Sequence, residues 1–206
     1  MIAGGCAVYL YTRHKYEPPA SEFKDFAELK QHLSKCQPGC SHDSLNVIVE
    51  GTVVKLAESC VRSEKAGIEG AARKVLSSTR GKTSTVSDIS VSFLLIDPSG
   101  QSIQVTSVHH ALRVSQVMER VWEEPSAKPS VPVRLELMLT FGTHLGVFGR
   151  ASLDRTNEVT LVPEEVDESS AATVAKRKSQ RRLLYAGGFI LILGGTVALV
   201  FNFVKK

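Results

Sequence analysis

The feature that most constrains this chain is an uncharged run near its C-terminal end. The 22 residues Leu183–Val204, LLYAGGFILILGGTVALVFNFV, contain no charged side chain, and Asn202 is the only strongly polar one. A helix of this length reaches about 33 Å, which matches a bilayer hydrocarbon core of about 30 Å. A buried core helix is the alternative, but uninterrupted apolar runs of that kind rarely exceed about 14 residues. The run therefore predicts a transmembrane helix.

Basic residues lie at both ends of this run. Five precede it and two follow it: Lys176, Arg177, Lys178, Arg181, Arg182, Lys205 and Lys206. They exceed the net charge of +4 of the whole chain, so the remaining residues are acidic on balance. Lysine and arginine in such places meet anionic lipid headgroups. We therefore predict a lipid bilayer as a partner and no nucleic-acid partner, although the sequence pI of about 8.9 by itself would suggest one.

A second apolar stretch, Ile2–Tyr11, lies at the N-terminus and is followed at once by basic residues. About ten residues are too few to span a bilayer as a helix, and no charged segment precedes them as it would in a secretory signal. We interpret residues 1–12 as the second half of a transmembrane helix whose beginning is missing from this chain. A short interfacial anchor or a loose apolar terminus is the alternative.

Between the two apolar stretches the pattern predicts an α+β domain that is rich in strands and lies beside a membrane. One helix is expected to follow Ser21 as its cap and to end at Gln37–Gly39, and another is expected at Val114–Trp122, because apolar residues recur there every three to four positions. Strands are expected at 45–54, 86–96, 101–108, 133–141 and 159–162. The turn Asp97–Gly100 joins two of them as a hairpin.

The boundaries follow from these elements. We place the domain at residues 17–165, a linker that is acidic and then basic at 166–182, and the transmembrane helix at 183–204. The segment 60–85 shows no clear period, and its last six residues, Arg80–Thr85 (RGKTST), are interpreted as a loop.

One group of side chains has the residue types of a metal site. It consists of His32, Cys36, Cys40 and His42. Zinc prefers such ligands at such spacings, but no second paired module accompanies them, so the group is a weak candidate. A Cys36–Cys40 disulfide, or ordinary surface thiols at a helix end, are the alternatives. No cofactor is therefore predicted for this chain.

No catalytic residue is predicted either. His109 and His110 end a strand, but no nucleophile motif or phosphate-binding loop occurs in the sequence. Gly142–Gly149, GTHLGVFG, is interpreted as a turn and a short strand, and Glu136 is expected on the solvated face of its strand. A small membrane-bound hydrolase remains a minor alternative.

Three stretches resemble one known family. They are EGTVVKL (50–56), VSFLLIDPSGQSIQV (91–105) and LTFGTHLGVFGRASLDRTNEVTLVP (139–163). Followed by the basic-flanked run, they resemble the family of the mitochondrial ubiquitin ligase activator of NF-κB, also called mitochondrial-anchored protein ligase. The resemblance extends loosely over nearly the whole chain, and residues 139–163 are its most specific part. The segment 60–85 departs from the family, because it is shorter and lacks the family's tryptophan.

The resemblance implies a GIDE-type domain at the mitochondrial outer membrane, on the side of the intermembrane space. It also implies that this domain binds substrates or regulators of a RING-type E3 ubiquitin or SUMO ligase. In that family zinc belongs to the RING, which needs eight paired Cys/His ligands. We expect the RING to be absent from this chain, which ends just after the apolar run, and we assign ligase activity to none of its residues. The charge rule for membrane insertion would instead place the domain in the cytosol.

An alternative function is a non-enzymatic membrane adaptor that pairs with full-length relatives and modulates them. The apolar run would mediate the pairing, because its glycines allow close helix–helix approach. These glycines are Gly187, Gly188, Gly194 and Gly195.

Overall fold

Strands dominate the structure. A computed structural model describes residues 20–35, 44–79, 82–106, 108–124, 133–175 and 179, and strands make up 57% of the described structure. Residues Ala20–Thr173 form one unit, and Met1–Pro19 with Val174–Lys206 form the other. All the described strands lie in Ala20–Thr173, as do the described helices apart from the end of a helical stretch at 170–175.

The strands are β1 (Ser21–Phe23), β2 (Leu45–Val54), β3 (Val61–Arg62), β4 (Glu69–Thr79), β5 (Lys82–Ser90), β6 (Phe93–Ile96), β7 (Ser102–Val105), β8 (Glu119–Glu123), β9 (Val133–Thr140), β10 (His144–Leu153) and β11 (Val159–Asp167). The helices are α1 (Phe26–Lys35), a 3-10 helix at Val108–His110 and α2 (Val114–Val117). Residues 170–175 are also helical.

The first sheet closes on itself. Its strand order is β1-β2-β10-β11-β7-β6, and β2 also pairs with β6, so five of the strands form a ring. Successive side chains of a strand point to opposite faces, and the inward residues of β2, such as Val47 and Val49, are fully buried. Helix α1 adds Phe26, Leu29 and Leu33 to the same core.

The second sheet packs against this core with one face. Its order is β3-β4-β9-β8, and β5 pairs with β4. Ala72 of β4 and its register partner Leu139 of β9 are both fully buried in the common core. A Cβ atom on Gly70 would lie 2.3 Å from the carbonyl oxygen of Leu139. Close strand packing therefore requires a glycine at position 70, one of the small residues that hide the period of this segment.

The predicted α+β class is wrong, because the described residues are mostly β. The segment 60–85, which shows no clear period in the sequence, contains β3, β4 and the start of β5. The loop predicted at 80–85 is wrong for residues 82–85, which belong to β5. The helix predicted at Val114–Trp122 ends at Val117, and Trp122 instead belongs to β8, opposite Glu136 of β9. The helical spacing there comes from two short elements that both contribute apolar residues.

The predicted transmembrane helix must also be corrected. Within the described ranges, no helix is long and apolar enough to cross a membrane. The run Leu183–Val204 on which the prediction rested lies outside those ranges, as do residues 1–12.

The predicted turn at Asp97–Gly100 joins two antiparallel strands as expected, and it also starts α1. The single strand predicted at 86–96 is wrong, because its first part belongs to β5 of the second sheet and its last part is β6 of the first. Strands β6 and β7 pair antiparallel around Asp97, whose Oδ1 accepts hydrogen bonds from the backbone N–H groups of Ser99 and Gln101, at 2.9 Å each. Its Oδ2 accepts one from the N–H of Phe26 at 2.8 Å. Burial alone raises the pKa of Asp97, but these bonds outweigh it, so the pKa lies below its ordinary value.

The helix cap was misassigned. Ser21 lies in β1, and Asp25 accepts a hydrogen bond from the N–H of Ala27 at 2.7 Å. An aspartate just before the first helical residue is a common cap, because it satisfies an N–H group that lacks a helical partner.

Candidate protein-binding surface

Strand β5 is an edge of the second sheet. It pairs antiparallel with β4, and no strand in the described part of the chain pairs with its other side. Residues 82–86 are exposed one after another, so both faces of this half of the strand meet solvent. An edge of this kind presents a row of backbone N–H and C=O groups to other polypeptides.

A bulge divides β5 into two halves. Val75 of β4 lies opposite Ser87, whereas the next residue, Leu76, lies opposite Thr85. Val86 is therefore the extra residue, and its side chain is 58% exposed. Ile89 follows in the second half and is 46% exposed. An open strand edge that also exposes apolar side chains is a template on which another chain can pair.

The second half of β5 is held in place by polar contacts. Ser90 Oγ lies 2.5 Å from His109 Nδ1, which joins the end of the strand to the 3-10 helix. Asp88 forms an ion pair with Lys74 of β4, at 3.2 Å. Sequence reasoning missed the Ser90–His109 pair because 19 residues separate the two and neither belongs to a motif.

A buried polar cluster lies on the outer face of the same sheet. Arg73 Nε and Glu136 Oε1 are 3.7 Å apart, which is too long for a hydrogen bond, and neither atom has a hydrogen-bond partner in the structure. Glu136 Oε2 accepts a bond from Ser63 Oγ at 2.7 Å, and Arg73 Nη1 donates one to Glu64 at 2.9 Å. Glu136 was expected to face solvent; the structure instead buries it, with a side-chain exposure of 4%.

A second polar cluster fixes the chain where it leaves the closed sheet. Glu50 accepts hydrogen bonds from His144 Nε2 at 2.7 Å, from Ser170 Oγ at 2.5 Å and from the Ser170 N–H at 2.8 Å. Burial alone raises the pKa of Glu50, but the bonds from Ser170 and His144 outweigh it and hold the pKa below its ordinary value. The carboxylate lies between the serine and the histidine, so the histidine cannot act on the serine as a base.

The predicted metal group is only partly described. His32 lies on the exposed side of α1, with its ring centroid 5.7 Å from that of Phe23. Cys36, Cys40 and His42 lie outside the described residues. Within the ranges that the structure covers, no three His, Cys, Asp or Glu side chains are placed to hold a metal ion. The weak candidate for a zinc site is therefore untested, because three of its four residues lie outside the described ranges.

Comparison with known proteins adds no relative. No family model, no curated protein and no solved structure matches this chain.

Proposed function

We propose that this chain is a substrate- or regulator-binding domain that serves a RING-type E3 ubiquitin or SUMO ligase at the mitochondrial outer membrane. The domain would face the intermembrane space and contact its protein partners through the exposed strand β5. Transfer of ubiquitin or SUMO would take place on a RING and its conjugating enzyme, and no residue of this chain is assigned a role in that chemistry.

The observation that carries the proposal is where the three resembling stretches lie. Residues 50–56 include the second half of β2, residues 91–105 include β6 and β7, and residues 139–163 include β10 and half of β11. Each strand of the closed ring thus contains residues from one of these stretches. Stretches that are far apart in sequence therefore build one structural unit. This supports the proposal that the chain has the same structural framework as the domain of the family it resembles.

The test uses the tagged full-length chain in cells. We expect it to colocalise with a mitochondrial outer-membrane marker, and its domain to resist added protease until the outer membrane is opened. We also expect it to co-precipitate a full-length ligase of the family. An endoplasmic-reticulum location, or no association with any such ligase, would contradict the proposal.

Two matched variants locate the surface. Val86→Glu places a charge on β5 and is expected to abolish co-precipitation of the ligase or its substrates. Val162→Glu alters a similarly exposed valine of β11, 41% exposed against 58% for Val86, and is expected to leave association unchanged. Equal loss with both variants would mean that β5 is not the binding surface.

A further inference from the structure

We infer that the outer edge of Lys82–Thr85 binds an extended polypeptide segment by strand pairing, and that the bulge at Val86 ends the paired stretch. This inference rests on the proposed protein-binding function and names the kind of partner. The partner is an extended segment with an acidic residue near Lys82 and an apolar residue beside Val86.

The backbone of this half-strand is suited to pairing. Its inner edge is occupied by β4, in the register Thr85 to Leu76, Ser84 to Ser77, Thr83 to Ser78 and Lys82 to Thr79. In antiparallel pairs the backbone groups of successive residues point alternately toward one neighbour and the other. The outer edge therefore offers donors and acceptors at fixed spacing, which an added strand satisfies without rearranging the sheet.

The bulge sets the length of the site. An extra residue disrupts the hydrogen-bond ladder and bends the strand, so a partner that pairs with residues 82–85 cannot continue in the same register past Val86. Beyond the bulge, the Ser90–His109 contact places the 3-10 helix against the end of the strand. The pairing site is therefore short, about four residues.

Side chains set the chemistry of the partner. Lys82 is the only charged residue of 82–86, and the next three residues carry small hydroxyl-bearing side chains that leave the edge open. An acidic residue opposite Lys82 provides a cross-strand pair of opposite charge. Val86, which is 58% exposed, offers apolar surface at the end of the paired stretch.

The probe is a labelled synthetic peptide of eight residues, in which valine and threonine alternate between a glutamate at each end. The control peptide has the same sequence with a methyl group on alternate backbone nitrogens, which removes the donors needed for pairing. Binding to the full-length chain in a mild non-ionic detergent is followed by fluorescence anisotropy. Amide hydrogen exchange of the chain maps the site.

We expect saturable binding of the first peptide, at least tenfold weaker binding of the methylated one, and new exchange protection confined to residues 82–85. Lys82→Glu is expected to weaken binding about two- to fivefold, which is the scale of an exposed ion pair, whereas Lys82→Gln should weaken it less. Equal binding of the two peptides, protection elsewhere, or no binding up to about 1 mM peptide would overturn the inference.

These outcomes separate the inference from the proposed function. Peptide pairing at residues 82–85 without any mitochondrial or ligase association would leave the strand site standing and refute the ligase role. Ligase association that survives Val86→Glu, with no peptide pairing, would refute the strand site alone.

Discussion

Removing one partner of the buried Arg73–Glu136 pair is expected to destabilise the protein more than removing both. The side chains of Arg73 and Glu136 are 10% and 4% exposed, and the closest atoms of the pair are 3.7 Å apart. Taking a charge out of water costs several kcal/mol, and the attraction between two buried charges repays this only when the geometry is good. At 3.7 Å and without a hydrogen bond, the attraction offsets only part of the cost of burying the two charges.

The structure predicts that the two single variants differ. In Arg73→Leu, the Glu136 carboxylate stays buried and keeps only the hydroxyl of Ser63 as a partner. In Glu136→Leu, Arg73 still donates to the carboxylate of Glu64, whose side chain is 73% exposed. Removing one partner of a buried ion pair costs about 3–5 kcal/mol. We expect the loss of unfolding free energy to lie near the upper end of this range for Arg73→Leu and at or below its lower end for Glu136→Leu.

The double variant Arg73→Leu/Glu136→Leu leaves no buried charge in this pair. Apolar replacement of a whole buried ion pair is often neutral or stabilising. We therefore expect the double variant to lose less than about 2 kcal/mol, so that the coupling energy between the two sites is at least about 3 kcal/mol.

The assay is urea unfolding of the full-length chain at pH 7. The chain is kept in a non-ionic detergent because Leu183–Val204 has no charged residue. Trp122 is the single tryptophan and lies opposite Glu136 on the next strand, so its fluorescence reports on this sheet. Additive losses in the double variant, or single losses below about 0.5 kcal/mol, would refute the argument from buried charge.

Two further predictions concern the closed sheet. Asp97→Asn removes charge-assisted hydrogen bonds to backbone N–H groups and should cost about 1.5–3 kcal/mol at pH 7. The native pKa of Asp97 lies below the ordinary value of 3.8, so its contribution to stability is present above pH 3.8 and is lost as the pH falls through the native pKa. Unfolding measured at a series of acidic pH values should therefore show the difference in stability between the parent protein and Asp97→Asn closing. A difference that stays constant with pH would exclude this cause. Gly146→Ala would place a Cβ atom 2.1 Å from the backbone of Ser169. We therefore expect the free energy of unfolding to fall by about 1–3 kcal/mol and amide hydrogen exchange to become faster in residues 169–173. Unchanged exchange there would refute the close packing.

The sequence predicted the elements whose signals are local. Strand β2 occupies residues 45–54 as expected, and the hairpin around Asp97 follows from its turn residues. Strand β11 was expected to end at Val162 but continues to Asp167, through Pro163 and two glutamates. An acidic stretch suggests a linker, and nothing in its residue types indicates that it continues the antiparallel pairing with β10, the strand that directly precedes it.

Long-range pairing explains the largest error, which concerns the segment 60–85. Gly70, Ala71 and Ala72 carry little periodicity and weak strand preference, so no element is predicted there. In the structure they belong to β4, and at Gly70 the backbone of β9 lies too close for a Cβ atom. Likewise, Glu136 follows the alternating pattern of an exposed position, but it is buried and accepts a hydrogen bond from Ser63, 73 residues away. No local pattern records either contact.

The same contacts show which residues set the fold and which lie outside its core. A Cβ atom on Gly149 would lie 2.2 Å from the carbonyl oxygen of Val162, so this glycine, like Gly146, is needed for one backbone to pass close to another. Both lie in the stretch that carries the most specific resemblance, which therefore reflects packing of the closed sheet. Residues 82–86 lie outside the resembling stretches and bury little surface. Substitutions there should change which polypeptide is bound while leaving the closed sheet folded, because no core residue belongs to this half-strand.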